Sequence, residues 1–218
     1  MTTYDLFLFA GQSNMAGRGI ACTQFPEGAP DLISGAGAEF RAISDPTRLY
    51  PIEEPFGALE NNPTGIFEPG MKTGSLVASF VNTYFQNTGV PVLGLSSSKG
   101  GSVIANWQDH DDYLTDTITR LKSAQTFCEQ HNITLRHQYL LWCQGESDGD
   151  HHTSADEYTK QFMHMYEKLK AVGIEHCFLI GIGAYNGTAD DICYDEIRNA
   201  QYSFCRTQKR YHRRKPPV

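Results

Sequence analysis

Leu6-Phe7-Leu8-Phe9-Ala10 runs directly into Gly11-Gln12-Ser13-Asn14-Met15-Ala16-Gly17 near the start of this 218-residue chain. A short apolar run rich in Phe and Leu and closed by Gly reads as a buried strand feeding a sharp turn. Ser13 then stands at a strand's carboxyl end, where open α/β sheets bind their ligands. A hydroxyl held on such a turn, with backbone N–H groups around it, is placed to attack an acyl carbon. The alternative is a Ser and an Asn that only shape the turn.

Working outward, the same plan recurs. Leu76, Val77, Phe80, Val81 and Tyr84 fall on one helical face that Asn87-Thr88-Gly89 ends, and Val90–Leu95 follows as a strand leading to Ser98-Lys99-Gly100-Gly101-Ser102. Leu114, Ile118, Leu121 and Cys128 stripe a helix after Asp111-Asp112, and Tyr139-Leu140-Leu141-Trp142 is a strand ending in Gln144-Gly145-Glu146. A third helix is opened by the capping box Ser154-Ala155-Asp156-Glu157 and buries Tyr158, Phe162, Met165 and Leu169. Cys177–Ile182 is a fourth strand, and Ile192, Ile197, Ala200 and Phe204 mark a last helix. Strands that are apolar throughout, alternating with helices, predict a mostly parallel sheet covered on both faces. The expected fold class is α/β, a three-layer α/β/α sandwich of flavodoxin-like kind with right-handed crossovers.

Two further blocks bear on the chemistry: Gly100-Gly101-Ser102-Val103-Ile104-Ala105-Asn106-Trp107 and Trp142-Cys143-Gln144-Gly145-Glu146-Ser147-Asp148. With these beside Gly11–Gly17, the chain resembles the SGNH (GDSL-like) hydrolase superfamily in its sialate O-acetylesterase branch, close to carbohydrate esterase family six. The likeness runs from the first strand to about Gln208. It implies a serine esterase that removes acetyl groups from acetylated carbohydrates, with sialic acid and xylan-type sugars as candidates. Ser13 is the expected nucleophile. The expected oxyanion donors are the N–H of Ser13, the N–H of Gly101 and the side-chain amide of Gln144, which stands where many SGNH enzymes carry Asn. For Gln144 a purely structural amide is the alternative. Glu146 has three candidate roles: orienting a catalytic His, binding the sugar, or anchoring its own loop.

Other motifs carry less. Met15 stands where a G-x-S-x-G elbow needs its second Gly, and no Gly-Lys-Ser/Thr phosphate loop is present. Asp148, Asp150, His151 and His152 form a polar cluster that matches no zinc spacing, and its adjacent histidines read as solvated. Trp107 reads as core in preference to a sugar-stacking ring. No cofactor and no metal are expected.

The segment from about Arg18 to Thr73 holds seven of the ten prolines, and its Phe25, Phe40, Tyr50, Phe56 and Phe67 suggest that it packs down. Loops of this length are uncommon in compact domains. A binding loop and a tolerated surface insertion are equally open readings.

At 40% hydrophobic content, 218 residues suffice for one domain with a sizeable core. The net charge of −7 argues against nucleic acid as a partner. Six cysteines without C-x-x-C spacing read as reduced, and neither a signal segment nor an apolar run of the roughly 20 residues that span a bilayer is visible. A soluble, cytoplasmic protein with no membrane partner is expected, its oligomeric state unspecified.

The carboxyl end breaks pattern. Residues 206–218 hold six basic and no acidic side chains, whereas residues 1–205 hold 12 basic against 25 acidic. The resemblance implies a late Asp-x-x-His block, and no such block occurs: Lys209, not Asp, precedes His212 by three. The expected organisation is an esterase domain over 1–208, incomplete at its carboxyl end and lacking the last strand and helix, followed by a basic stretch, 209–218, of non-native character. The competing reading is a natural basic tail with the base drawn from His151 or His152. On the first reading the chain is nearly inactive, or a carbohydrate-binding pseudoenzyme.

Overall fold

The structure, a computed structural model, describes residues 2–21, 28–109, 111–185, 187–189 and 192–212, with side chains as far as Arg206. Cys22, Phe25, Pro26, the side chains of Lys209, Arg210 and His212, and residues 213–218 of the basic stretch lie outside the described residues.

Leu6–Ala10 sits in β1 (Thr3–Gly11), the centre of one six-stranded sheet. Along β1, Leu6, Leu8 and Ala10 enter one core while Phe7 and Phe9 enter the other. That two-sided burial is why the run is apolar at every position instead of alternating. The other strands are β2 (Gly37–Phe40), β3 (Leu49–Tyr50), β4 (Val92–Ser98), β5 (Thr134–Cys143) and β6 (His176–Leu179). The order is β3-β2-β4-β1-β5-β6, parallel except for the antiparallel β2–β3 pair.

Helices α1 (Ser13–Ala16), α2 (Val77–Thr88), α3 (Asp112–Gln130), α4 (Glu146–Asp150), α5 (Ala155–Ala171) and α6 (Asp195–His212) complete the chain. Val77 and Val81 of α2 cover the Phe7 face, and residues of α3, α5 and α6 cover the Leu6 face, giving the three expected layers. The N-cap half of the expected capping box forms: Ser154 Oγ accepts the N–H of Glu157 at 3.3 Å, while Glu157 Oε1 accepts from Gln161 Nε2. Cys128, Cys143, Cys177 and Cys193 are free thiols, and no helix of the described residues is long and apolar enough to cross a membrane.

The segment 18–73 departs from the sequence reading, because it supplies two strands to the sheet. Gly37–Glu39 pair in parallel with Val92–Gly94, and β3 closes that edge. Strands of four and two residues are too short to show periodicity. The segment is also pinned to α3. Asp116 accepts from Ile66 N–H and Asn62 Nδ2, each at 2.9 Å, and Arg120 donates to Ser96 O, Glu60 O and Asp116. Buried charges paired in this way hold the loop down, since removing one partner strands the other in a medium of low dielectric.

Lys72 shows the same logic with a pH signature. Its amine is buried and donates to Ser96 Oγ at 2.8 Å. Burial foremost, and the Arg120 guanidinium second, push it down to about 8, against the pull of Glu68, Glu39 and Glu60. With its folded value lowered, the unfolded chain binds more protons above that pH, so stability from this group rises as the pH passes through 8. A gain of about 1 kcal/mol by about pH 9 is expected relative to Lys72→Met. Denaturant titrations of both proteins at about pH 7 and pH 9 check it. The comparison also cancels the opposing effect of Cys128 and Cys143, whose thiols burial raises to about 11 and about 12.

Candidate active site

The sheet brings the three turns together by register. Gly11, last residue of β1, lies opposite Ser98 of β4 on one side and Cys143 of β5 on the other. All three strands therefore end at one level, and β1 is where the strand order reverses, the crevice in which open α/β sheets take their ligands. The ends are also bonded: Lys99 N–H donates to Gly11 O at 2.8 Å, and Gln12 N–H to Cys143 O at 2.9 Å.

Ser13 opens α1 and is half-buried. The carbonyl of Gln12 accepts from Met15 and Ala16, which closes the turn. Among the described residues neither Ser13 Oγ nor Ser13 N–H has a hydrogen-bond partner, and neither does Gly101 N–H. Gly101 is exposed, with φ +70° and open space where a Cβ would stand. One hydroxyl and two backbone donors are thus left uncommitted on neighbouring turns.

The polar side chains around them have other duties. Gln12 is buried, and its Oε1 accepts from Gly145 N–H at 3.1 Å and Ser147 N–H at 3.2 Å, capping α4 from across the site. Gln144 is fully buried, with its amide donating to Ser102 O at 3.0 Å and to Asp148. A planar amide has two N–H groups, and both are spent inside the protein. In this arrangement Gln144 ties the turn after β5 to the turn after β4. The backbone carbonyl of Gln144 accepts from Tyr158 Oη at 3.0 Å and from Gln201 Nε2 at 2.9 Å.

Asp148, grouped by sequence with Asp150, His151 and His152, is completely buried. Its Oδ2 accepts from Ile104 N–H at 2.9 Å as well as from Gln144, and burial pushes its carboxyl above the usual range. Asp150 bonds instead with Tyr194 at 2.8 Å, while His151 and His152 are exposed. Glu146 accepts a hydrogen bond from Asn14, the residue after Ser13, so it does border the serine turn. Trp107 is core, its indole N–H donating to Ser102 Oγ at 3.1 Å.

Gln12, Asp148 and Gln201 are structural supports to which the sequence reading gave no role. Gln12 and Asp148 lie inside the two marked blocks, which was the available signal; their partners were not legible. Gln12→Ala strips the acceptor from two buried backbone N–H groups, each costing about 1–3 kcal/mol when unmade. A loss of about 2–4 kcal/mol in a urea titration is expected, and unchanged stability would contradict the clamp.

His131 bonds Phe127 O, His137 pairs with Glu175, and His164 pairs with Asp109. No hydrogen bond among the described residues joins a histidine to Ser13 or Glu146.

Compared with known families, residues 3–209 match the profile described as carbohydrate esterase, sialic acid-specific acetylesterase. No curated protein sequence matches. Among solved structures, a protein from Arabidopsis thaliana is similar at TM-score 0.65 and 19% identity, covering 90% of this chain and 79% of that one. NanS is similar at TM-score 0.53 and 15% identity, covering 78% and 62%. A carbohydrate acetylesterase from Xanthomonas citri is similar at TM-score 0.54 and 19% identity, covering 92% and 47%. At these identities the likeness is one of fold, and the chain spans less than two thirds of the last two proteins.

Proposed function

Since the chain belongs to the carbohydrate-esterase family of sialic acid-specific acetylesterases, we propose that its site is built to remove acetyl groups from acetylated sugars with Ser13 as nucleophile. Ser13 Oγ attacks the acetyl carbon, its proton passes to a base, and the carbonyl oxygen becomes a tetrahedral oxyanion. The N–H groups of Ser13 and Gly101 take that charge. Collapse expels the sugar hydroxyl, which regains a proton, and water then releases acetate from the acetyl-serine. The hydrogen bond from Asn14 to Glu146 favours the anchoring role among the three open for that carboxylate.

The observation that carries this reading is the shared level of Gly11, Ser98 and Cys143, with uncommitted donors on the adjoining turns. Acetate release from O-acetylated sialic acid and from acetylated xylan tests it and ranks the sugars. No release from either, together with failure of a fluorophosphonate probe to label Ser13, would end it. A second reading, a carbohydrate-binding protein without turnover, draws support from the lack of a histidine bonded to Ser13 or Glu146 among the described residues. Calorimetric binding of the acetylated sugar with no acetate formed selects that reading.

A further inference from the structure

Glu68 lies in the segment between β3 and α2, more than 30 residues from any of the three turns, yet its buried carboxylate is seated against one of them. Oε1 accepts from Gly100 N–H at 2.7 Å and from the Arg18 guanidinium at 2.6 Å, with Lys99 Nζ 3.7 Å away. Arg18 also donates to Met71 O at 2.8 Å, and Lys99 Nζ donates to Gly100 O at 3.3 Å. The fit is close: a Cβ at Gly100 would lie 2.3 Å from Arg18 and 2.7 Å from Glu68.

These contacts grip two successive peptide planes. Glu68 holds the first directly, through Gly100 N–H. It holds the second through Lys99, whose ammonium it attracts and which bonds Gly100 O. In a trans peptide the Gly100 carbonyl and the Gly101 N–H point in opposite directions from one rigid plane. Fixing Gly100 O therefore aims Gly101 N–H. A bare carboxylate so near a developing oxyanion would oppose it, but Arg18 and Lys99 offset that charge.

We propose that Glu68, acting with Arg18 and Lys99, is the positioning residue that aims the Gly101 N–H at the reacting acyl oxygen. The proline-rich segment is then part of the reactive machinery and not a tolerated insertion. The proposal rests on the serine-esterase reading above.

Two readouts separate the inference from that reading. The first is amide hydrogen exchange at Gly100, which needs no activity. The second is the rate at which a fluorophosphonate labels Ser13, since its phosphoryl oxygen calls on the same donors. Glu68→Ala is expected to speed Gly100 exchange at least about tenfold and to slow labelling about 10²-fold, the cost of a misplaced group. The probe concentration giving half the maximal rate should move less than about threefold. Glu68→Gln keeps an acceptor for Gly100 and is expected to restore labelling to within about tenfold of the original chain. It also answers the case in which Glu68→Ala fails to fold. Unchanged Gly100 exchange in a folded variant overturns the proposal. So does faster exchange with unchanged labelling, provided Ser13→Ala abolishes the label. Labelling that survives in Ser13→Ala sinks the serine reading itself, and the aiming role with it.

Discussion

Replacing Ser13 with alanine is expected to bring acetyl-ester turnover down by about 10⁶, or to background where the starting rate is low. Loss of a nucleophile removes the whole covalent route, and what is left reflects only the oxyanion donors and binding. The variant should fold as before. Ser13 is half-buried, its Oγ has no hydrogen-bond partner among the described residues, and Ala has the higher helix propensity within α1. Affinity for the acetylated sugar should stay within a few-fold, so a matched pair of measurements, acetate release and calorimetric binding, isolates the chemical step. Turnover that persists at the original rate would remove Ser13 from the mechanism. A start from no measurable release, with sugar still bound, would instead support the binding reading.

The second large effect is on stability. Gly11 has φ +137°, and a Cβ there would lie 2.0 Å from Cys143 O, the carbonyl that accepts the Gln12 N–H. Backbone in this region strains any L side chain by about 1–3 kcal/mol. Overpacking against an immovable carbonyl adds about 1–3 kcal/mol more. Gly11→Ala is therefore expected to cost about 4 kcal/mol, read as a fall in melting temperature of about 10 °C. It should also part the strand ends, so Ser13 labelling should fall even in protein that remains folded. An alanine variant that melts with the original chain would mean that the β1–β5 junction is looser than its register implies.

Both effects arise from one design. A serine turn can be set between two glycine turns only if three parallel strands stop at the same height, which takes the bonds of Gly11 and Gln12 to either side. The polar residues of the motif blocks then go into holding the turns: Gln12 to α4, Gln144 to Ser102 and Asp148, Asn14 to Glu146. Little of that polarity is left to contact a substrate, in keeping with the proposal that a hydroxyl and backbone N–H groups carry the chemistry.

What the amino-acid sequence determined by itself is the layering. Apolar runs such as Leu6–Ala10 and Tyr139–Trp142, striped helices between them and glycine-marked turns after them are local signals. Burial on both faces and a positive φ each leave a mark within a few residues. The same local signals put Ser13, Gly101 and Glu146 on strand-end turns. Only the tertiary structure decided which side chains are spent as struts, why Asp148 is buried rather than solvated, and that the segment 18–73 supplies two strands and the Glu68 contact. The physical reason is that a hydrogen bond depends on which atoms meet. Gln12 and Gly145, Asn14 and Glu146, or Glu68 and Gly100 meet across 32 to more than 130 residues of chain, and no periodicity or spacing records such an encounter.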